Sequence, residues 1–145
     1  MGDFAKEINS TFPNNRIKAM LNIIYTANWI ASQQAEKFKP YGISAQQYNV
    51  LRILRGAGEA IKVQTVKERM IERAPNATRL MDKLLSKQLI NRFHSEHDRR
   101  VVYVEITDEG RKLLGQVDSG FKDETINKLT EEEAIVLSDL LDKLR

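Results

Sequence analysis

The stretch from residue 75 to residue 106 most constrains how this chain can fold. Pro75 suits the first turn of a helix, because its missing N–H group would have no partner there. Helically spaced apolar residues follow, and then two short strand-like segments, 89–94 and 101–106, flank a polar hairpin tip at 97–100. A short basic helix followed directly by an arginine-tipped hairpin predicts a DNA-reading unit.

The helix that Pro75 opens has one apolar and one polar face. Its inner stripe consists of Ala77, Leu80, Met81 and Leu84. The outer side chains, which are candidates for contacts with bases and phosphates, are Asn76, Thr78, Arg79, Asp82, Lys83 and Lys87. Asn pairs with adenine and Arg with guanine, and a helix N-terminus attracts phosphate. The alternative is an ordinary solvated face.

The hairpin tip carries the sequence His97-Asp98-Arg99-Arg100. Arginines at such a tip can enter a narrow minor groove, where the negative potential is strongest, and we favour Arg100 over Arg99. The alternative is a charged turn that keeps a sheet edge soluble. Further candidates for contact with the DNA backbone are Lys62, Gln64, Lys67 and Arg92.

Charge is unevenly distributed along the chain. Residues 62–112 contain 12 Lys and Arg against 8 Asp and Glu, a net charge of +4, whereas the remainder carries 11 against 12, a net −1. The basic excess therefore coincides with the candidate DNA-reading unit, as phosphate binding requires. A mixed-charge solvated surface is the competing interpretation.

Long amphipathic helices are predicted on both sides of this unit. The first begins at Pro13, has two apolar stripes and ends before Pro40 and Gly42. A final helix follows a capping box at residues 130–133 and is apolar almost to Arg145. One stripe of the first helix can pack on its own domain, and the other requires a partner, which a second subunit would supply.

The intervening segments carry clear boundary signals. Ser44 and Gln47 form a second capping box, Gly58 follows the helix that this box opens, and Ile61 lies in a short extended link. A helix at 63–71 starts without a good N-cap residue, whereas Thr107 is a good N-cap for the helix after the hairpin.

Composition excludes several protein classes. A length of 145 residues predicts one domain. The chain has no apolar run long enough to span a bilayer and no signal-peptide pattern, so we expect a cytoplasmic protein. The absence of cysteine excludes disulfides and thiolate metal sites. With two histidines and no glycine-rich phosphate loop, nothing pairs a nucleophile with a base, so we do not expect an enzyme.

Two further groups of side chains suggest ligands. His94 and His97, with Glu96 and Asp98, could form a zinc site in a metal-sensing regulator, but both histidines fall beside the hairpin tip. A small aromatic effector could bind among residues of the first two helices, with Arg52 as its carboxylate partner and the following aromatic side chains as its walls: Tyr25, Trp29, Phe38, Tyr41 and Tyr48. Core packing is the alternative for each aromatic residue.

This order of elements, mainly helical with a small antiparallel β wing, is a winged helix-turn-helix inside a helical frame. The sequence resembles the MarR family of bacterial transcription regulators over nearly its whole length. Three segments carry the resemblance: 43–51, 78–84, and above all the Asp98-Arg99-Arg100 wing leading to Thr107-Asp108-Glu109-Gly110-Arg111.

The resemblance implies a homodimer that represses a palindromic operator in double-stranded DNA and is released by a small aromatic effector. Residues 1–38 and 112–145 would form the dimerisation helices, and 44–111 the DNA-binding winged helix. The fourth predicted helix would enter the major groove, and Arg100, oriented by an ion pair with Asp98, the flanking minor groove. A winged-helix protein-interaction module that does not read DNA is the other alternative.

The sequence departs from the family pattern at the ends of the fourth helix. Gln88 stands where the family usually has glycine, so the cap requires a non-glycine residue in a left-handed conformation. The turn at 72–76 lacks the usual glycine and hydroxyl residues, which leaves open which side chain meets the bases first. Without cysteine, the peroxide-sensing branch of the family is excluded.

Overall fold

A computed structural model describes residues 2–71, 76–120 and 125–145. The predicted start of a helix at Pro75 and the turn at 72–75 lie outside the described residues. Within the described ranges, no helix is long and apolar enough to cross a membrane.

Helices dominate the fold, and three short strands form one antiparallel sheet. In chain order the elements are α1 (Phe4–Glu7), α2 (Asn15–Phe38), a 3₁₀ turn (Lys39–Tyr41), α3 (Ala45–Ala57), β1 (Ile61–Lys62), α4 (Val63–Arg69), α5 (Ala77–Ser86), β2 (Ile90–His94), β3 (Val102–Ile106), α6 (Asp108–Gly120), a 3₁₀ turn (Ile126–Lys128) and α7 (Glu131–Lys143). The predicted fold class, mainly α with a small β wing, is confirmed.

Helix boundaries follow the predicted capping signals. The Ser44 hydroxyl accepts from the Gln47 amide at 3.1 Å, and the Gln47 side chain accepts from the Ser44 amide at 2.9 Å, which completes the box. Thr130 and Glu133 form the same reciprocal pair at the start of α7. Thr107 Oγ1 accepts from the Gly110 amide at 3.0 Å and caps α6.

A single hydrophobic core lies where α3, α4, α5, α6 and the sheet meet. The predicted inner stripe of α5 is confirmed, because all four of its members are at most 9% exposed. Fully buried side chains from the surrounding elements complete the core: Val50, Leu51, Leu54, Val66, Ile90, Val104, Leu114 and Val117.

The sheet has the strand order β1-β3-β2, and β2 and β3 form the wing hairpin. Arg92 lies opposite Val104 and His94 opposite Val102, so these side chains share the inner face of the hairpin. Phe93 and Tyr103 lie on the outer face, where their rings stack with centroids 5.8 Å apart.

The joint between α5 and the wing is made mainly by backbone groups. Gln88 has the predicted left-handed conformation, with φ +60°. Its amide donates to the Leu85 carbonyl at 2.9 Å, and the Leu89 amide donates to the Leu84 carbonyl at 3.0 Å, which is the Schellman pattern. The Thr107 hydroxyl then donates to the Gln88 carbonyl at 2.7 Å and joins this turn to the start of α6.

Gly110 lies directly beneath this joint. A Cβ atom there would collide with the Leu89 carbonyl oxygen and lie 2.7 Å from Cγ1 of Ile106. Only glycine lets α6 approach the joint this closely.

The long helices of the frame leave most of their apolar side chains uncovered. Phe38 is the only buried residue of α2, and none of α7 is buried. The sequence allowed one face of α2 to pack on its own domain, but within a single chain only Phe38, at the C-terminal end of the helix, is buried in the core.

A short helix that the sequence did not predict precedes α2. Asp3 caps α1, and Phe4 is buried against two aromatic rings, Phe12 at 5.2 Å and Tyr25 at 5.3 Å between centroids. This contact joins the N-terminal segment to the frame.

Candidate nucleic-acid interface

A concave basic surface lies between α4, α5 and the wing. This basic cleft has a volume of about 500 Å³. Its described lining includes no acidic residue and is formed by Lys62, Val63, Gln64, Lys67, Thr78, Met81, Arg92, His94, Arg100, Val101 and Val102. Four cations around one cleft, with no carboxylate in that lining, make a surface that attracts phosphate.

The outer face of α5 borders this cleft. Thr78, Arg79 and Lys83 are exposed, and Thr78 lines the cleft itself. Asn76 immediately precedes the helix and is exposed, with no side-chain hydrogen bond that caps the helix. The amide side chain therefore lies exposed at the helix N-terminus, where free backbone N–H groups attract anions.

Three other predicted site residues have partners within the protein. Asp82 accepts a hydrogen bond from Arg92 at 2.5 Å. The Lys87 ammonium group donates to the Gly42 carbonyl, which ties the end of α5 to the turn before α3. Gln64 Nε2 donates to Glu68 at 3.3 Å along α4, whereas Lys67 is exposed in the cleft.

The hairpin tip is held by Asp98. Its carboxylate accepts from the backbone amide of Arg100 at 3.0 Å and from Nε of the same residue at 3.1 Å, so the expected ion pair is present. The Arg100 side chain, by donating to it, lowers the pKa of the Asp98 carboxyl group. The Arg100 side chain remains 92% exposed, so it is oriented but still available to a ligand. Arg99 is also exposed.

His94 contributes to the same tip. Its Nδ1 lies 2.8 Å from the Arg99 carbonyl oxygen and fixes the backbone of the turn. In the described residues, which include the whole hairpin, no three His, Asp or Glu side chains come together as a metal site would need. Glu96 and His97 are exposed at this end of the wing.

A second cluster joins the winged domain to the frame, and we call it the hinge cluster. Asp118 of α6 accepts from Arg55 at 2.6 Å and from the Tyr48 hydroxyl at 3.1 Å, both on α3. The Arg55 hydrogen bond lowers the pKa of the Asp118 carboxyl group, while burial and the bond to Asp118 raise the pKa of Tyr48. Sequence reasoning did not find Arg55 or Asp118, because they are 63 residues apart.

The predicted effector residues fall into two groups. Phe38 and Tyr48 pack with ring centroids 4.6 Å apart, and the Arg52 guanidinium carbon lies 5.9 Å from the Tyr48 ring centroid. Tyr25 is instead part of the N-terminal aromatic contact and donates to Glu7 at 3.1 Å. Trp29 lies on α2 between the two groups and is 41% exposed.

Tyr41 lies beside Gly120 at the C-terminal end of α6. Its hydroxyl group occupies the position that a Cβ atom at Gly120 would need. Tyr41 also packs against the main core as a partly buried residue.

Comparison with known proteins shows the family of this chain. The MarR family model matches residues 43–102, which include α3 to α5, β2 and the tip of the wing. The transcriptional repressor MdtR of Bacillus subtilis is 36% identical over 119 residues, which are 79% of this chain and 76% of MdtR. The chain belongs to the MarR family. It is therefore a winged-helix, DNA-binding transcription regulator and not an enzyme.

Other relatives of this MarR-family chain agree. The transcriptional regulator MhqR of Bacillus subtilis is 29% identical over 107 residues, covering 72% of this chain and 73% of MhqR. A MarR mutant from E. coli, solved in complex with operator DNA, has a TM-score of 0.76 at 26% identity, covering 92% of this chain and 99% of that one. A MarR-like regulator from Bacillus cereus has a TM-score of 0.78 at 23% identity and shares the fold.

Proposed function

We propose that this MarR-family protein is a homodimeric cytoplasmic repressor that binds a palindromic operator and is released by a small aromatic effector. The observation that carries the proposal is the basic cleft with the exposed Arg100 at its edge. A positively charged cleft can bind the phosphates of a DNA duplex, and the exposed polar side chains of the neighbouring helix can contact its bases.

In this proposal α5 enters the major groove and the wing follows the adjacent minor groove. Asn76, Thr78, Arg79 and Lys83 would face bases and nearby phosphates, while Arg100 would enter the minor groove with Arg99 beside it. Contacts with the DNA backbone would come from Lys62 at the end of β1 and from Gln64 and Lys67 on α4. The ion pair with Asp98 supports this role for Arg100, because a side chain that is already oriented loses less conformational freedom when it binds.

The proposed dimer uses residues 1–38 and 112–145, which leaves 44–111 as the DNA-binding part. Exposed apolar side chains on α2, on α7 and at the α7 C-cap support it: Ile17, Met20, Leu21, Ile24, Ile30, Ile135, Val136, Leu137, Leu140 and Leu144. So much uncovered apolar surface on two helices is typical of an interface. A symmetric dimer would place the two α5 helices about one turn of duplex apart, which corresponds to a palindromic site.

The proposed effector site lies beside the hinge cluster. Phe38 and Tyr48 supply an aromatic wall, and Arg52 above the Tyr48 ring supplies a cation for a carboxylate or phenolate. A ligand there would contact α2 and α3 together and change how the frame holds the winged domain. Repression as the direction of regulation is supported by MdtR, a repressor.

DNA binding is tested with an operator selected by the protein itself from a random duplex pool. Arg100→Ala should weaken binding with little change in sequence preference, whereas Arg79→Ala should also relax preference at one base position. Fluorescence anisotropy across a salt series measures both effects. The site assignment is wrong if neither variant changes operator affinity.

The dimer and the effector site have separate tests. Leu140→Glu should convert the protein to a monomer in sedimentation experiments, because it places a charge in the proposed apolar interface. Benzoate, the simplest aromatic carboxylate, should weaken operator binding, and Arg52→Gln should remove that response. Benzyl alcohol, which has no carboxylate, is the matched control ligand.

A further inference from the structure

We infer that Asp82 is a positioning residue and not a base-reading one. Its carboxylate holds the Arg92 guanidinium at the edge of the basic cleft, where Arg92 binds a phosphate of the DNA backbone. This inference rests on the proposed DNA surface. It assigns different tasks to two residues that sequence reasoning treated as separate contacts.

The first observation is the contact itself. Nη1 of Arg92 lies 2.5 Å from Oδ1 of Asp82, and the pair joins the middle of α5 to β2. The Arg92 side chain is 33% exposed and the Asp82 side chain 54%, so both remain in reach of a ligand. A charged hydrogen bond of this length engages one of the two carboxylate oxygens and holds the group toward Arg92, which disfavours its use as the acceptor for a cytosine amino group.

The strand register explains why Arg92 points toward α5. Arg92 is paired with Val104, which is fully buried, so its side chain leaves the sheet on the face that covers the core and the cleft. His94 shares that face two residues later and anchors the wing turn through the Arg99 carbonyl. The same side of the hairpin therefore contacts α5 at one end and fixes the tip at the other.

The Asp82–Arg92 pair neutralises a carboxylate on the basic face of α5. Asp82 is the only acidic residue in α5, and the exposed face around it carries Arg79 and Lys83. An unpaired carboxylate on this face would repel the phosphates that the basic cleft attracts. The Arg92 guanidinium neutralises it within the protein.

Arg92 retains donors for a second partner. A guanidinium carries five N–H groups, and Asp82 engages Nη1. Arg92 also lines the basic cleft together with Lys62, Lys67 and Arg100. Because the planar fork of arginine matches two oxygens of a phosphate, a guanidinium held on one side by Asp82 presents its other side in fixed geometry.

The two assignments predict different binding behaviour. A base-reading Asp82 would affect preference at one position of the operator, because base contacts carry the sequence information. A positioning Asp82 would act through Arg92 and change affinity for every duplex by the same factor. The distinction needs the selected operator and an unrelated duplex of equal length as the two probes.

The experiment compares the full-length wild type with Asp82→Asn, Arg92→Gln and the double variant, using anisotropy on both duplexes at several salt concentrations. Arg92→Gln should weaken both duplexes about tenfold and reduce the slope of log K against log salt by about 1. Asp82→Asn should weaken both about two- to fivefold, the range of an exposed ion pair. In the Arg92→Gln background, Asp82→Asn should cause no further loss. Arg111→Gln removes the same charge outside the cleft and controls for net charge.

The inference is overturned if Asp82→Asn changes base preference, if it binds as tightly as the wild type, or if its loss persists in the Arg92→Gln background. An unchanged salt slope for Arg92→Gln would also overturn it. Arg100→Ala, measured in parallel, distinguishes a failure of the Asp82 assignment from a failure of the proposed DNA surface. If Arg100→Ala weakens binding and the Asp82 variant does not, the inference alone fails; if neither does, the proposed DNA surface fails with it.

Discussion

Replacing Gln88 with glycine should stabilise the protein. The left-handed conformation costs a residue with a Cβ atom about 1–2 kcal/mol, and Gln88 has φ +60°. Glycine removes that cost but adds about 0.5–1 kcal/mol through the freedom of the unfolded chain. The Gln88 side chain is exposed, so little packing is lost. The net gain should be about 0.5–1 kcal/mol, or about 2 °C in Tm for a chain of this size.

Urea denaturation followed by circular dichroism measures this gain, with protein concentration held constant because the proposed subunit association would contribute to stability. The midpoint should rise while the m-value stays the same. Gln88→Ala is the matched control: it shortens the side chain but keeps the Cβ atom, so it should give no gain. Equal stabilisation by alanine and glycine, or a loss with glycine, would refute the explanation based on backbone strain.

Two further substitutions test joints described above. Gly110→Ala should destabilise the protein by about 1–3 kcal/mol in the same assay, because the added Cβ atom collides with the Leu89 carbonyl. The control is Gly115→Ala on the same helix, which should not destabilise the protein because there is open space around its Cα atom. Asp118→Asn should cost about 0.5–1 kcal/mol at neutral pH, since the Arg55–Asp118 pair is only partly buried. Arg55 lowers the pKa of Asp118 in the folded protein below the pKa of about 3.8 that the group has in the unfolded chain. The pair therefore stabilises the fold fully at pH values above the unfolded-state pKa, and this stabilisation is lost as the pH falls through the folded-state pKa. The difference between wild type and Asp118→Asn should therefore disappear in denaturation curves at acidic pH, and a constant difference would contradict the assignment.

Local sequence signals predicted the helix and strand boundaries well. The capping boxes at Ser44 and Thr130 and the N-cap at Thr107 involve residues three apart, so their geometry depends only on the backbone of one helical turn. The left-handed Gln88 was instead predicted from the family resemblance, because the residue stands where the family usually has glycine.

Contacts between distant segments were not predictable from the sequence. Asp82 and Arg92 are ten residues apart on a helix and a strand, and Tyr48 and Asp118 are 70 apart. Helix α1 is a single turn. Asp3 caps it and Ala5, Lys6 and Glu7 favour a helix, but so short a segment is a weak signal, and Phe4 holds the turn by packing against Phe12 and Tyr25. Tyr25 and Phe38 are 13 residues apart on α2, about 20 Å along the helix axis, so similar composition did not imply a shared site.

Because backbone groups and the Thr107 hydroxyl make the joint at the C-terminal end of α5, the exposed face of α5 that we propose to read DNA can vary independently of the scaffold. The carbonyls of Leu84, Leu85 and Gln88 accept the bonds that connect the helix, wing and α6. Thr78, Arg79 and Lys83 point outward and take no part in that joint. New operator preferences could therefore arise by exchanging a few exposed side chains, at little cost to folding.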